Sequence, residues 1–270
     1  MVKSEGDRLN QVIVCSPKLE YLQGANNIVE HNIGILGDPE IPAKQHDHLK
    51  QTLNEFGADV IDLNEMKNHP NSVFTRDTAL CTPQGYVKLR LGIPSREGED
   101  QWMADALDKL NIKCIGEITA PGTVEGGDII LAGDVAFIGE SVRTNVEGIK
   151  QLSLLLQPMG FEIRTIKLPD NILHLDKSLM TLGSNKILYC KKLVSKETLI
   201  GFEGIAIETG GDVTANIICL GDNELIVNAS NSTVNKFLTK HGFKIHTLDL
   251  EEFAKGMGGP NCLIMPTQRR

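Results

Sequence analysis

A phrase of helix, turn residue and strand recurs along this chain of 270 residues and constrains its fold more than any other feature. It reads LNEFG–ADVIDL, LDKLN–IKCIGE, LQPMG–FEIRTI and LTKHG–FKIHTL. Gly57, Asn111, Gly160 and Gly242 stand where a helix needs a left-handed C′ residue, a conformation that Gly and Asn tolerate best. A shorter version, LIGFEG–IAIET, places Gly204 in the same role. Each phrase therefore predicts a helix that ends at its Gly or Asn and leads into a strand.

A polar cluster that leads into a β-hairpin follows each of these strands. The hairpin turns contain Gly with polar neighbours, as short hairpin loops require. Equivalent points of the clusters recur at intervals of 51, 48, 36 and 49 residues, at Asp77, Asp128, Asp176, Asp212 and Asn261. The sequence therefore predicts five similar units of roughly 40–50 residues each.

Units of this size cannot each bury a hydrophobic face alone, so we expect the five to share one core. The last unit is cut short after Pro266, and the opening strand LNQVIVCSP, which ends at Pro17, is free to complete it. A ring closed in this way by its two ends leaves no exposed sheet edge. We therefore predict an α/β fold with a pseudo-fivefold repeat closed by the two termini, in a single domain over residues 1–270. An open α/β sheet is the alternative, because helix–Gly–strand phrases occur there as well.

The charge and the cysteines narrow the function classes. The 27 Lys and Arg against 35 Asp and Glu leave a net charge of −8, which disfavours nucleic acid and favours a cationic small molecule. No apolar run approaches the roughly 18 residues of a membrane span, and the first residues lack the apolar stretch of a signal peptide. The six cysteines form no CxxC pair, and three lie in apolar strand-like runs. We expect a cytoplasmic protein with reduced thiols that binds neither nucleic acid nor membrane.

The polar clusters supply several carboxylates, one histidine and one cysteine that a closed ring would bring to one axial pocket. Carboxylates accept the N–H forks of a planar guanidinium in bidentate pairs. A cysteine facing the guanidinium carbon, with a histidine to move protons, is an assembly for covalent catalysis. Hard-cation binding by the carboxylates is the alternative, although no second His or Cys stands at ligand spacing beside the histidine. The candidates are Asp77, Glu125, Asp128, His174, Asp176 and Cys262.

Four motifs carry a resemblance to a known family. They are VFTRD (73–77), VEGGD (124–128), HLD (174–176) and GGPNC (258–262). In this order and spacing they resemble the markers of the guanidino-group-modifying pentein superfamily, which contains arginine deiminases, dimethylarginine dimethylaminohydrolases and amidinotransferases. The resemblance covers nearly the whole chain. It implies a five-module α/β propeller, in agreement with the repeat, and an enzyme that needs no cofactor or metal.

The resemblance also implies roles for the catalytic residues. Cys262 matches the nucleophile that attacks the guanidinium carbon and forms a thiouronium intermediate. His174 matches the acid that protonates the leaving amine and then the base that activates water. Glu125 matches an acid that also faces the substrate, and Asp128 is expected to support its turn.

The substrate-binding residues follow in the same way. Asp77 and Asp176 match the two carboxylates that grip the guanidinium. Arg96, in GIPSREGED, and Arg143, in GESVRTN, match positions that bind the α-carboxylate of an arginine-type substrate. Asn71 replaces an acidic residue at a substrate-binding position of the dimethylaminohydrolases. Each of these residues also has an ordinary structural reading, as a buried thiol, a turn cap or a surface ion pair.

The choice of reaction within the superfamily depends on conflicting motifs. The compact length, GIPSREGED and VRTN resemble the dimethylarginine dimethylaminohydrolases. VFTRD and HLD resemble the arginine deiminases, because the dimethylaminohydrolases tend to have an acidic residue at the position of Arg76 and a Lys at that of Asp176. We therefore expect an arginine deiminase first, a methylarginine hydrolase second and an amidinotransferase third. A propeller-type binding module without chemistry is the non-enzymatic alternative, and homo-oligomerisation is left open.

Overall fold

Five three-stranded sheets of identical construction form the protein. In the computed structural model, which describes residues 1–24 and 38–270, each sheet has an antiparallel pair of strands, one of which also pairs in parallel with a third strand. In four sheets the antiparallel pair is a hairpin, and in the fifth it joins the two ends of the chain. The strands are β1 (Leu9–Cys15), β2 (Asp59–Leu63), β3 (Ala79–Thr82), β4 (Gly85–Lys88), β5 (Cys114–Glu117), β6 (Ile129–Ala132), β7 (Val135–Glu140), β8 (Glu162–Lys167), β9 (Leu179–Gly183), β10 (Lys186–Cys190), β11 (Glu203–Ile207), β12 (Ile218–Gly221), β13 (Glu224–Asn228), β14 (Lys244–Leu248) and β15 (Met265–Arg269).

Helices link the second and third strands of the sheets in the crossover that parallel pairing requires. They are α1 (Leu19–Gly24), α2 (Ile41–Phe56), α3 (Glu99–Lys109), α4 (Val146–Leu156), α5 (Ser232–Lys240) and, before β15, α6 (Glu251–Ala254). Their apolar faces are buried as the sequence predicts, with Leu49 and Leu53 of α2 and Met103 and Leu107 of α3 fully covered. Within the described residues, no helix has the length and apolar character needed to span a membrane.

The two ends of the chain complete one sheet. In it β1 pairs antiparallel with β15, so that Ile13 lies opposite Met265, and β1 pairs in parallel with β2. The other sheets are β3-β4-β5, β6-β7-β8, β9-β10-β11 and β12-β13-β14. Contacts between β6 and β9, β9 and β12, β12 and β1, and β15 and β3 connect neighbouring sheets. The predicted five-module α/β propeller, with its last unit completed by the first strand, is confirmed.

The predicted helix ends are correct in four of the five units. Gly57, Gly160 and Gly242 have φ of 98°, 90° and 83°, and Asn111 has φ of 58°, so all four adopt the left-handed conformation. Glycine and asparagine are needed there because a Cβ of most other residues would meet the adjacent carbonyl.

Gly204 is the exception, and that prediction is wrong. It lies inside β11, where a Cβ would come within 2.8 Å of the Tyr189 ring, and Gly201 has the left-handed φ of 91° instead. In this unit the helix is reduced to a 3₁₀ turn at Lys196–Leu199. The shortened helix ends earlier, so the turn residue moves upstream.

Short 3₁₀ turns bring the polar clusters together. They precede β3, β6, β9 and β15, and they span Thr75–Asp77, Gly126–Asp128, Leu175–Lys177 and Pro260–Leu263. The first turn packs against the second and the fourth, and the second packs against the third. The predicted convergence is therefore confirmed for these four clusters.

The fourth unit departs from the predicted alignment of the clusters. Asp212 is exposed and accepts hydrogen bonds from the backbone and hydroxyl of Thr233, at the start of α5. Asn216 is buried beside the nucleophile candidate instead. It lies two residues before β12, as Asp77 lies two residues before β3. Asp212 was therefore the wrong anchor for this unit.

Candidate active site

A cavity of about 30 Å³ lies where the 3₁₀ turns meet. Six of the eight residues predicted to catalyse the reaction or bind the substrate line it, whereas Glu125 and Asp176 lie behind the wall and contact residues that do. The turns before β3 and β15 each contribute one of the lining residues, and His174 directly precedes the turn before β9. The six are Asn71, Asp77, Arg96, Arg143, His174 and Cys262, and Phe74, Leu173, Gly256, Met257 and Gly258 complete the wall.

Two glycines of the motifs are required by close packing at this site. A Cβ on Gly127 would lie 2.6 Å from Nδ1 of His174, and one on Gly259 would lie 2.3 Å from Oδ1 of Asn216. Both distances are far below van der Waals contact. The turns can therefore approach the site only because these positions carry no side chain.

His174 is held by Glu125. Its Nε2 lies 2.7 Å from Oε2 of Glu125, and its Nδ1 lies 3.8 Å from Oδ1 of Asp77. Arg143 binds the same Glu125 carboxylate, with Nη1 at 3.1 Å from Oε1. Glu125 therefore fixes the imidazole ring on one side and leaves Nδ1 on the side of Asp77.

The acids around His174 keep its ring charged. Burial lowers the pKa of His174, but the charges of Asp77 and Asp128 and the bond to Glu125 outweigh burial and raise it to about 9. Burial acts to raise the pKa of Glu125, but His174 and Arg143 hold it well below its usual range. At neutral pH the pair is an imidazolium facing a carboxylate.

Arg96 is already bound by acids of the protein. Its Nη1 donates to Oδ2 of Asp77 at 2.6 Å, and its Nε and Nη2 donate to Oε2 of Glu99 at 2.9 and 2.7 Å. Nη2 also donates to the carbonyl oxygens of Asn71 and Phe74. Burial would lower the pKa of Arg96, but Glu99 and Asp77 keep it above its usual range.

Asp128 supports the turn that holds His174. Its Oδ1 accepts the backbone N–H of Leu175 at 2.9 Å, and its Oδ2 accepts the hydroxyl of Ser141 at 2.7 Å. The side chain is fully buried, and burial raises its pKa to about 6. These contacts agree with the supporting role expected for this residue.

Cys262 is surrounded by hydrogen-bond donors and one acid. Its Sγ lies 3.3 Å from Nζ of Lys177, 3.4 Å from Nδ2 of Asn216 and 3.4 Å from the backbone N of Gly259. Oδ2 of Asp176 lies 3.7 Å from the same sulfur. Burial raises the pKa of the thiol to about 11, and Asp176 adds to this rise while Lys177 opposes it.

Asp176 has one oxygen open to a further donor. Its Oδ2 accepts from Nδ2 of Asn261 at 3.2 Å. Its Oδ1 is buried and accepts no hydrogen bond from any described residue, and Nζ of Lys177 lies 3.8 Å away. A buried carboxylate oxygen without a donor is costly, so an N–H group of a ligand that reached it from the cavity would bind favourably.

The sequence reasoning missed Lys177 and Asn216 as neighbours of the nucleophile. Lys177 directly follows the HLD motif, and that adjacency was the only available signal. No sequence signal pointed to Asn216, because the Gly-Gly-Asp of residues 210–212 matches that of residues 126–128 and drew the alignment to Asp212.

Arg76, whose position was used to choose between the deiminases and the dimethylaminohydrolases, does not face the cavity. Its guanidinium points to the opposite side, where Nη2 binds Oε1 of Glu5 at 2.6 Å and the carbonyl of Ile129 at 2.6 Å. Nε donates to the carbonyl of Gly126. Arg76 therefore joins the N-terminal segment to the second turn, and its identity says nothing about the substrate.

One group of ligand atoms at the site lies close enough to hold a cation. These atoms of Asp77, Glu125 and His174 lie within 4.8 Å of one another. Both carboxylates are already paired with a guanidinium, of Arg96 and of Arg143. The same acceptors suit a guanidinium ligand, so the geometry of the donor set does not favour a metal over it.

Comparisons with known proteins match this chain to one family model and to two kinds of named enzyme. The family model described as arginine deiminase matches residues 64–214 and 205–269. The N(G),N(G)-dimethylarginine dimethylaminohydrolase of Pseudomonas aeruginosa is 31% identical over 232 residues, which cover 85% of this chain and 91% of that protein. The arginine deiminase of Borrelia duttonii is 24% identical, in an alignment that covers 90% of this chain and 71% of that protein.

A solved structure shares the fold. It is the Pseudomonas aeruginosa dimethylaminohydrolase, as a cysteine-to-serine mutant complexed with citrulline. It superposes with a TM-score of 0.85 at 28% identity, over 96% of this chain and 99% of that one.

Proposed function

Because the chain belongs to the arginine deiminase family, within the guanidino-modifying pentein superfamily, we propose that it hydrolyses the guanidino group of free L-arginine to citrulline and ammonia. It is a hydrolase of guanidino C–N bonds; the substrate and the residue roles are what is proposed. The observation that carries the proposal is that Cys262, His174 and Asp77 line one cavity, with Asp176 3.7 Å from the sulfur.

The first half of the reaction forms a bond to sulfur. The Cys262 thiolate attacks the guanidinium carbon, and the carbon–nitrogen bond to a terminal nitrogen breaks. His174 supplies the proton that lets this nitrogen leave as ammonia. Since Nε2 of His174 is bonded to Glu125, Nδ1 is the atom that passes the proton. The product of this half is a thiouronium on Cys262.

The second half restores the enzyme. Neutral His174 takes a proton from water, and the hydroxide oxygen attacks the thiouronium carbon. The carbon–sulfur bond then breaks, its electron pair returns to Cys262 as the thiolate, and the hydroxyl proton passes to the released ammonia, which becomes ammonium. Citrulline leaves with its urea oxygen derived from water. Glu125 holds the imidazole in one orientation through both halves, because its two oxygens bind His174 and Arg143.

The surroundings of Asp176 favour arginine over its methylated forms as the substrate. Its open oxygen needs an N–H donor, and dimethylation of one terminal nitrogen deletes both donors of that nitrogen. Leaving a buried carboxylate unpaired costs roughly 1–3 kcal/mol or more. A site that pairs polar groups therefore rejects the analogue that lacks them. The identity of Arg76 no longer adds to this argument.

A methylarginine hydrolase is the second candidate. It is favoured by the higher identity to the Pseudomonas aeruginosa dimethylaminohydrolase, 31% against 24% for the Borrelia duttonii deiminase. An amidinotransferase is third, and it would accept an amine in place of water. A binding module without chemistry would have no use for a cysteine, a histidine and two acids around one cavity.

The test is a pair of kcat/KM values, for L-arginine and asymmetric dimethylarginine, with citrulline measured for both. We expect arginine to be converted at least tenfold faster, as loss of a donor to a buried acid implies. Asp176→Ala should lower arginine turnover and reduce the ratio of kcat/KM for arginine to that for dimethylarginine. Cys262→Ala is the inactive control. A higher kcat/KM for dimethylarginine would overturn the substrate assignment, and the absence of citrulline with both substrates would overturn the function.

A further inference from the structure

Lys177 forms a triangle with the nucleophile and an acid. Its Nζ lies 3.3 Å from Sγ of Cys262 and 3.8 Å from Oδ1 of Asp176, and Oδ2 of Asp176 lies 3.7 Å from the same sulfur. The side chain of Lys177 is only 17% exposed. A buried ammonium in contact with a thiol is placed to stabilise the thiolate.

The backbone of Lys177 is anchored by the neighbouring unit. Its carbonyl oxygen accepts from the backbone N of Ala215 at 2.9 Å and from the hydroxyl of Thr214 at 3.2 Å. Lys177 also lines a second cavity, of about 300 Å³, which shares Leu173, Met257 and Gly258 with the smaller one. Lys177 therefore stands between the nucleophile and an opening large enough for water.

The charges facing Cys262 oppose one another. Asp176 and Asp77 disfavour the thiolate, whereas Lys177 favours it. His174, Arg96 and Arg143 line the same small cavity, but Asp77 and Glu125 already pair with them. In the free enzyme burial and the two acids outweigh Lys177, so the pKa of the thiol is about 11 and the thiol is protonated at neutral pH.

We propose that Lys177 is a catalytic residue that stabilises the Cys262 thiolate. We also propose that this stabilisation prevails once the substrate guanidinium neutralises Asp176, which opposes it in the free enzyme. The substrate half of this inference rests on the proposed function, whereas the pairing of Lys177 with Cys262 does not. Ionisation of Cys262 sends its proton to water, and Lys177 keeps its own, because Cys262 and Asp176 hold the pKa of Lys177 above its usual range despite burial. Lys177 thus acts as a donor and not as a base.

Alkylation of Cys262 by iodoacetamide tests the pairing without substrate. The rate is measured from pH 6 to pH 11 on the peptide that contains Cys262, in a Cys114→Ser background because Cys114 is the exposed cysteine. Lys177→Met removes the cation, Lys177→Arg keeps one, and Asp176→Asn mimics neutralisation by substrate. Lys192→Met, which removes an exposed lysine paired with Glu208, is the matched control.

We expect Lys177→Met to shift the curve of alkylation rate against pH toward higher pH by about one unit, so that the rate at neutral pH falls about tenfold. Lys177→Arg should recover part of the lost alkylation rate. Asp176→Asn should shift the curve toward lower pH, so that the rate at neutral pH rises. A Lys177→Met profile equal to that of Lys192→Met overturns the role of Lys177, and an unmoved Asp176→Asn profile overturns its coupling to Asp176. If Lys177→Met does not fold, Lys177→Gln, which keeps most of the stem, replaces it.

Turnover separates this inference from the proposed function. If the profiles shift as expected but the wild-type protein produces no citrulline, the function fails and the pairing stands. If the wild-type protein converts arginine and the profiles do not shift, the pairing fails and the function stands. When both hold, kcat/KM for arginine should fall in Lys177→Met by about the same tenfold as alkylation.

Discussion

Nη1 of Arg96 lies 2.6 Å from Oδ2 of Asp77, so the acid expected to bind the guanidinium of the substrate is bound to a guanidinium of the protein. Oδ1 of Asp77 accepts the backbone N–H of Gly127. Arg96 thereby neutralises much of the charge of Asp77. The only cation in an ion pair with Asp176 among the described residues is Lys177, with Nζ 3.8 Å from an Oδ1 that accepts no hydrogen bond there, so we expect Asp176 to attract a second guanidinium more strongly than Asp77 does.

The first prediction concerns covalent catalysis. Cys262→Ala should abolish turnover and leave the fold intact, because the thiol is replaced by a smaller apolar group at a buried position. Acid-quenched mass spectrometry of the wild-type protein during turnover should show an adduct on the peptide containing Cys262. Cys114→Ala, at the exposed cysteine, is the control and should retain full activity. Turnover by Cys262→Ala would contradict the covalent mechanism.

The second prediction concerns pH and His174. The reactive form pairs a thiolate with an imidazolium, and their pKa values in the free enzyme are about 11 and about 9. This form increases as pH rises to about 9, stays level between the two values and decreases above about 11. We therefore expect kcat/KM to rise with unit slope up to about pH 9 and to fall above about pH 11.

Replacement of His174 provides the matching variant. His174→Ala should lose about two to four orders of magnitude in turnover, the usual scale for a general acid–base group. His241→Ala, at an exposed histidine of the described surface, is the control. Wild-type rates in His174→Ala would remove this residue from the mechanism.

The third prediction concerns recognition of the α-carboxylate by Arg143. Its side chain is 11% exposed at the cavity and is partly neutralised by Glu125. Loss of a charge-assisted hydrogen bond costs about 1.5–3 kcal/mol, or about 10- to 100-fold in kcat/KM. Arg143→Met should therefore lower the ratio of kcat/KM for arginine to that for agmatine, which lacks the carboxylate, by this factor. An unchanged ratio would show that Arg143 does not bind the carboxylate.

The fourth prediction concerns Asp128 as a positioning residue. Asp128→Ala leaves the buried N–H of Leu175 without its acceptor, at a cost of about 1–3 kcal/mol in the free energy of unfolding. Because Leu175 follows His174, turnover should fall as well. Asp128→Asn keeps an oxygen for Leu175 and should restore most of the activity. Equal activity and stability of Asp128→Ala and the wild-type protein would contradict this role.

The raised pKa of Asp128 also gives its stability a defined pH dependence. Burial raises this pKa from the ordinary 3.8 to about 6, so between these values the unfolded chain loses a proton that the folded protein keeps. The contribution of Asp128 to stability therefore decreases as pH rises from about 3.8 to about 6. Denaturant unfolding at pH 4 and pH 7 should show a smaller difference in Asp128→Asn than in the wild-type protein.

The amino-acid sequence determined the features that depend on a few neighbouring residues. Gly57, Asn111, Gly160 and Gly242 end helices because their own backbone preferences favour the left-handed conformation, whatever the rest of the chain does. Repeated five times, such local signals predict the sheets and the closure of β1 on β15. The motifs around Cys262 and His174 identified a common cavity for the same reason, since equivalent turns of a repeat meet at one place.

Only the tertiary structure decided which partners each side chain has. Arg76 and Asp77 are adjacent, yet Arg76 binds Glu5 on the far side of the turn while Asp77 faces the cavity. Lys177 reaches Cys262 across 85 residues of sequence. Such contacts depend on how the units pack, because the direction of a side chain follows from the whole ring and not from the propensities of its neighbours.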